Sequence, residues 1–293
     1  MQRGHFFILL FLLSFKLNGQ TGRRHEKFRL PPELKEISGL TVLGDTLLVA
    51  INDGGNSPEL FFLSTKGILV KRTRVVGAEN TDWEDLAKDN RGNLYIADVG
   101  NNLNNRRDLH ILKVSISAAL KQDSVVATKI EYFYSDQKAF PPPKEERRFN
   151  CEALFWLNDS LFLITKNESV FSRAQRRDRS PRIYAVSDQP GTHQAILTRE
   201  NLLKGFRFNR RGISELVTGS DYRNGRITVL TYFKILCFDV WSSEVQKPKV
   251  KLFFRVLQRE AIAISESGWV YIGAEYHRLL GGPVLIKKRI HAD

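Results

Sequence analysis

Short runs of β-branched, aromatic and leucine side chains recur along most of the chain, each broken by Gly, Asn or Asp: TLLVAI, NLYIADV, SLFLITK, RITVLTYF and WVYIGA. Runs of this length between turn residues predict β-strands joined as hairpins. No long stretch keeps the apolar period of a helix. Evenly spaced hairpins point to an internal repeat, and one spacing reveals it. Ser38 precedes Leu48 by ten residues, and Glu84 and Leu94, Glu152 and Phe162, Thr218 and Thr228, and Glu260 and Val270 keep the same ten. The hairpins open on ISGLTV, WEDLAK, CEALFW, VTGSDY and REAIAI, with VTGSDY the weakest fit.

Two further strand-like runs follow the first four hairpins: ELFFLST and ILVKRTRVV, LHILKVSI and ATKIEYFY, RIYAVSD and AILTREN, and ILCFDVW and KVKLFFRVL. Four antiparallel strands per unit make a propeller blade. The last unit offers only REAIAISES, WVYIGAE and PVLIKKRI. The stretch HEKFRLP near the start is expected to supply its fourth strand, closing the ring and removing an open edge. The fold class expected is therefore all-β, a single propeller of five four-stranded blades. Six blades would require splitting a long unit, and no sixth opening is present. Unit starts are separated by 46, 68, 66 and 42 residues. The excess in the long units is assigned to polar insertions at Pro141 to Arg148 and Arg173 to Pro181, read as surface loops.

The first twenty residues, MQRGHFFILLFLLSFKLNGQ, carry Arg3, an apolar run from Phe6 to Phe15 and a polar end. That is the layout of a secretory signal peptide, and the run is well short of the roughly 20 residues that cross a bilayer. A retained interfacial helix is the alternative. Residues 1–20 are thus read as signal and 21–293 as the propeller, secreted or periplasmic, monomeric, without a transmembrane segment after cleavage. No Cys follows the apolar run, so a lipid anchor is not expected. The net charge of +13 suits a polyanion. Its basic residues gather in apparent loops, however (Arg23 to His25, Lys144 to Arg148, Arg173 to Arg179), which reads more simply as solvated charge; nucleic acid is not the expected partner. Cys151 and Cys237 fall at different radial depths of adjacent blades and are not expected to pair.

In a propeller the first strand of each blade lines the channel and the second runs back beside it. The residues fourteen and fifteen beyond each opening position therefore return to one mouth: Asn52 and Asp53, Asp98 and Val99, Lys166 and Asn167, Tyr232 and Phe233, Ala274 and Glu275. The expected constellation is Ser38, Glu84, Glu152, Thr218 and Glu260 around the axis, flanked by Asp53, Asp98, Lys166, Tyr232 and Glu275. Carboxylates so close repel and rise in pKa unless a cation neutralises them; Lys166, Arg106 and Arg259 are candidates.

Three readings of the acids stand open. They are structural groups satisfied by amides and water. Or Glu84, Asp98, Glu152 and Glu260 bind a hard cation, calcium above all, helped by Asn carbonyls. Or the same four act as general acid and base on an ester, phosphoester or lactone, with or without a metal. In either functional reading Ser38, Asp53, Arg106, Lys166, Thr218, Tyr232 and Glu275 contact the ligand. The loops INDGGN and DVGNN, with Asn102, Asn104 and Asn105, are first of all turn chemistry and lack EF-hand spacing. Ser38 lies outside any G-x-S-x-G, and of six scattered histidines only His277 approaches the mouth, so a serine-hydrolase triad is not expected. Trp83, Trp156 and Trp269 read as packing rather than sugar platforms.

The segments EISGL, INDGGN, TDWEDLA, YIADVGNN followed by Arg106, NCEAL, LITKN, VTGSDY and REAIA resemble motifs of bacterial exported propellers similar to NHL-repeat proteins, SdiA-regulated proteins and esterase-like phytases. The resemblance spans about 33 to 276 and implies a water-filled, acid-lined mouth, with calcium in some related propellers. The chain departs from it in having Ser38 and Thr218 where other openings carry Glu, and in lacking a basic cluster for gripping phosphates. The function expected is recognition of a small molecule or extracellular polymer at this mouth, with a bound cation. A metal-assisted hydrolase and an interaction scaffold with basic loops are the alternatives.

Overall fold

The computed structural model describes residues 25–166, 181–200, 216–239, 249–252, 258–277 and 281–289. The expected signal peptide, Asn167 and the insertion at 173–180 lie outside them. The chain enters on β1 (Glu26–Arg29). Blade I is β2 (Ile37–Leu43), β3 (Leu47–Asn52), β4 (Glu59–Ser64) and β5 (Leu69–Val76). Blade II begins with β6 (Trp83–Lys88), β7 (Asn93–Asp98) and β8 (His110–Ser115); after helix α1 (Ile116–Lys121) and β9 (Ser124–Val126) it is completed by β10 (Thr128–Tyr134). Blade III is β11 (Asn150–Leu157), β12 (Ser160–Lys166), β13 (Ile183–Ser187) and β14 (Gly191–Arg199). Blade IV is β15 (Val217–Arg223), β16 (Arg226–Thr231), β17 (Lys234–Asp239) and β18 (Lys249–Leu252). Blade V is β19 (Arg259–Ile264), β20 (Trp269–His277) and β21 (Gly282–Arg289). As expected, β1 supplies its fourth strand, antiparallel to β21 with Phe28 opposite Leu285.

The inner strands β2, β6, β11, β15 and β19 pack one on the next, and β19 packs back on β2, so the ring has five blades and is closed. Each seam between blades holds its own apolar cluster. Between blades I and II, Ile51 and Phe62 meet Trp83 and Ile96; between V and I, Ile37 and Leu40 meet Tyr271 and Leu285. Full burial of such a side chain contributes roughly 1.5–3 kcal/mol.

The five opening positions share a structural cause. In every inner strand the register slips by one residue: Ile37 faces Asn52 while Gly39 faces Ile51, leaving Ser38 as the extra residue, and Glu84, Glu152, Thr218 and Glu260 are extra in the same way. Each is a β-bulge, which kinks the strand and re-aims a side chain. Where the bulged residue is not acidic, it latches blades together. Ser38 Oγ donates to the Trp83 carbonyl at 2.7 Å, and Thr218 Oγ1 to the Arg259 carbonyl at 2.7 Å. Both are followed by glycine, because the next blade passes too close for a side chain. A Cβ on Gly39 would lie 2.9 Å from the Asp85 backbone, and one on Gly219 2.9 Å from the Glu260 carbonyl.

Asp85, next to the bulge of blade II, is fully buried near the axis. Its Oδ2 accepts the amides of Leu154 in blade III (2.8 Å) and Ser220 in blade IV (3.1 Å), and its Oδ1 that of Leu86 (2.8 Å). Burial pushes this carboxyl well above the usual range, against three amide bonds that hold it down.

Three features go beyond the repeat. Much of the length of blade II's unit is α1 and β9, the helix capped by Ser115, whose side chain accepts from the Ala118 amide. β9 lies parallel to β5 of blade I, and β10 parallel to β14 of blade III, so blades II and III form one eight-stranded sheet. The Pro141 to Arg148 insertion is a loop with one 3-10 turn at Lys144–Glu146. Cys151 and Cys237 are buried and not joined in a disulfide. Among the described residues no helix is long and apolar enough to cross a membrane.

Each buried amide left without an acceptor costs about 1–3 kcal/mol. Asp85→Ala is therefore expected to destabilise the protein by several kcal/mol in urea unfolding, and Asp85→Asn by less, since its one oxygen still serves the two inter-blade amides. Equal stability of Asp85→Ala and the parent contradicts the axial role.

Candidate functional site at the channel mouth

The bulges turn Glu84, Glu152 and Glu260 toward one end of the channel, where they line a cavity of about 180 Å³ with Ser38, Asp53, Lys166, Thr218, Tyr232 and Glu275. Nine residues expected at the mouth from spacing alone are thus brought together. Asn102 and Gln258 complete the wall.

Two expected members sit elsewhere. Asp98 is fully buried and turned away, accepting the amides of Thr81 and Asp82 at 3.2 Å each. Arg106 pairs with it at 2.9 Å and with Asp108 at 3.1 Å, and donates to the Gly100 carbonyl at 2.9 Å. This pair does not line the cavity; it fastens the loop that carries the true acidic group. The physical reason is that a carboxylate at the strand end opposite loop amides satisfies them more readily than it reaches solvent. Arg259, the other candidate cation, donates through its guanidinium to the Tyr232 carbonyl at 2.8 Å, and burial lowers its pKa to about 10. The side chain of His277 lies outside the described residues.

The residue missed is Asp82. Its carboxylate, with those of Asp53 and Glu84, forms a cluster in which one oxygen from each lies within 4.8 Å of the others. Asn80 assembles it, its side-chain amide donating to the carbonyls of Asn52 (3.0 Å) and Asp53 (2.9 Å) while its oxygen accepts the Trp83 amide (3.0 Å). The loop INDGG of blade I is thereby clamped to TDWED of blade II. Asp82 and Glu84 lean over Gly100 so closely that a Cβ there would strike both carboxylates, and the cradle exists only because that position is bare. Asp82 stands two residues before the bulge, as do Glu36, Asn150 and Gln258 in their blades. A count backward from the openings would have found it.

Across the cavity Lys166 pairs with Glu152 at 3.0 Å and lies 5.7 Å from the Tyr232 ring. Burial alone would lower its amine, but the Glu152 carboxylate holds it above its ordinary value. Asn150 supports the pair from below, donating to Glu152 (2.7 Å) and to Asn102 (3.0 Å). For the other acids repulsion outweighs attraction. Burial, then repulsion from Glu152 and Asp53, pushes Glu84 well up; burial and Glu152 do the same to Glu260. Asp82 is raised to about 6 by burial and Asp53, and Glu275 to about 7 by burial, Asp53 and Glu36. The DVGNN loop is turn chemistry as expected: Asn104 adopts a left-handed φ of 54°, and Asn101 Oδ1 accepts the amides of Asn105 (2.9 Å) and Arg106 (3.0 Å). Trp83 packs in a seam, Trp156 donates to Asp188 at 2.8 Å, and neither these nor Trp269 line the mouth.

No family model and no curated protein matches the chain. Solved structures do. Glutaminyl cyclase from Myxococcus xanthus aligns with a TM-score of 0.50 at 13% identity, over 91% of this chain and 96% of that one. The PQQ-bound aldose sugar dehydrogenase of Streptomyces coelicolor aligns at 0.48 and 9% identity over 91% and 98%, and a streptogramin B lyase at 0.44 and 11% over 90% and 97%. The likeness is one of fold. The alignment with the cyclase agrees with the propeller, and none of the three assigns chemistry to the mouth.

Asp82 and Glu275 hold protons more tightly folded than unfolded, so the stability they lend is complete below about pH 4 and lost as pH rises. The loss runs through their folded values of about 6 and 7. In the presence of chelator, melting temperature is expected to fall from about pH 5 to about pH 8, and Lys166→Met to steepen the fall by leaving Glu152 unpaired. A flat profile contradicts acid repulsion at the mouth.

Proposed function

We propose that the mouth binds a hard divalent cation, calcium above others, between Asp53, Asp82 and Glu84, and through it recognises an oxygen-rich small molecule or the end of an extracellular polymer. The observation that carries this reading is the convergence of three carboxylates, none of them in an ion pair with a basic side chain among the described residues, two of which, Asp53 and Glu84, line an open cavity. Calcium takes six to eight oxygen ligands. The three carboxylates supply part of that set, Asn102 lines the same cavity, and water or the ligand supplies the rest. A cation there removes the repulsion that otherwise protonates these acids. Lys166 and Tyr232, on the opposite wall, suit the ligand's anionic or hydroxyl groups. The secretory character of residues 1–20 and the motif resemblance to exported propellers favour action outside the cytoplasm, where calcium is plentiful.

A second reading, hydrolysis of an ester, phosphoester or lactone, is favoured by Glu275. Its carboxyl, raised to about 7, opens on the same cavity and suits a general base working near neutrality.

Calcium at 100 times its Kd is expected to stabilise the protein by about 2.7 kcal/mol, and Asp82→Asn or Glu84→Gln to abolish the shift. No calcium-dependent change in melting temperature overturns the cation reading. For hydrolysis, Glu275→Gln is expected to remove turnover on a panel of nitrophenyl esters, phosphoesters and lactones while keeping the calcium shift. Absence of turnover by the parent chain ends that reading.

A further inference from the structure

The mouth is small. At about 30 Å³ per water, its 180 Å³ holds only a handful of atoms beyond a cation. Any ligand larger than an oxyanion must leave it. Glu275 also lines a second cavity of about 510 Å³ over the seam between blades V and I. That cavity is walled by Leu30, Pro32 and Pro283 and by the glycine backbone at 281 and 282. It lies where the entering strand β1 meets β21, held by the Leu30 amide bonding to the Pro283 carbonyl at 3.0 Å.

Its lining carries both signs of charge: Glu36 and Glu275, the latter shared with the mouth, and Arg29 and Lys35. Among the described residues Lys35 makes one ion contact, a long one with Glu36 at 3.7 Å. Arg29 forms no ion pair among the described residues, and its guanidinium lies against Gly281, 3.7 Å from where a Cβ would stand. Together the two cavities fall within the roughly 300–1,000 Å³ of small-molecule sites.

We infer that the ligand of the mouth is elongated: an oxygen-rich head at the acidic cluster, an apolar body across the V–I seam, and an anionic group facing Arg29 and Lys35. The inference rests on the cation reading for the head and goes beyond it in the body and tail. It makes the ring-closing segment, rather than the channel alone, the determinant of specificity.

The test is calorimetric titration with methylphosphonate, hexylphosphonate and phosphonohexanoate, each with calcium and with chelator. In calcium, phosphonohexanoate is expected to bind about ten-fold or more tighter than methylphosphonate, with hexylphosphonate between them. Arg29→Glu is expected to bring phosphonohexanoate down to the level of hexylphosphonate or below. Because Arg29 lies on the closing strand, Lys35→Glu serves as the second variant, and melting temperature is read for both. Equal, calcium-dependent affinities for all three probes overturn the extension and leave the cation reading standing. A chain-length preference that persists in chelator and falls with Arg29→Glu supports the extension and sinks the cation reading. No binding by any probe up to millimolar concentration overturns both, and an unchanged preference in two folded variants overturns the anionic contact.

Discussion

A propeller's blades have no covalent tie at the axis, and here one carboxylate supplies the tie. Asp85 draws amides from blades II, III and IV onto two oxygens. Where its reach ends, short latches take over: Ser38 ties blade I to II, Thr218 ties IV to V, and β1 ties V to I through the sheet itself. The inner strands can be held this closely only because each carries one residue too many. The bulge takes up the excess and throws a side chain toward the mouth. Axial packing and the candidate site are therefore consequences of one repeated irregularity.

That irregularity explains what could be read from the chain beforehand. The ten-residue spacing locates the bulged residue in every blade, and the alternation of the following strand brings back Asp53, Lys166, Tyr232 and Glu275. What stayed hidden depends on contacts between units. Ser38 and Thr218 line the mouth as their spacing suggests, but that their hydroxyls also latch neighbouring blades shows only once Gly39 and Gly219 are seen to admit the neighbouring backbone. Asp98 has the right position along its strand but faces amides that only the fold brings near. Asp82 lies in a loop whose course is set by Asn80 reaching into blade I. Helix α1 has six residues, too few to leave a periodic trace, and the parallel edge pairings join segments whose sequences look like ordinary outer strands.

The charge distribution is lopsided in a way the total conceals. A chain of net charge +13 gathers most of a ring of uncompensated carboxylates at one opening. A basic exterior draws anions toward the molecule, whereas the mouth itself repels them until a cation or protons intervene. Lys166 softens this only where it pairs with Glu152.

Strand β1 comes from the beginning of the chain and β21 from its end, and the larger cavity lies on the joint they make. A nascent ring of four complete blades has the acids of blades II and III in place and yet lacks Glu275, Pro283 and the wall they share with Pro32. The cavity along that joint is thus a property of the finished circle. The proposed binding surface therefore depends on the pairing of the first described strand with the last.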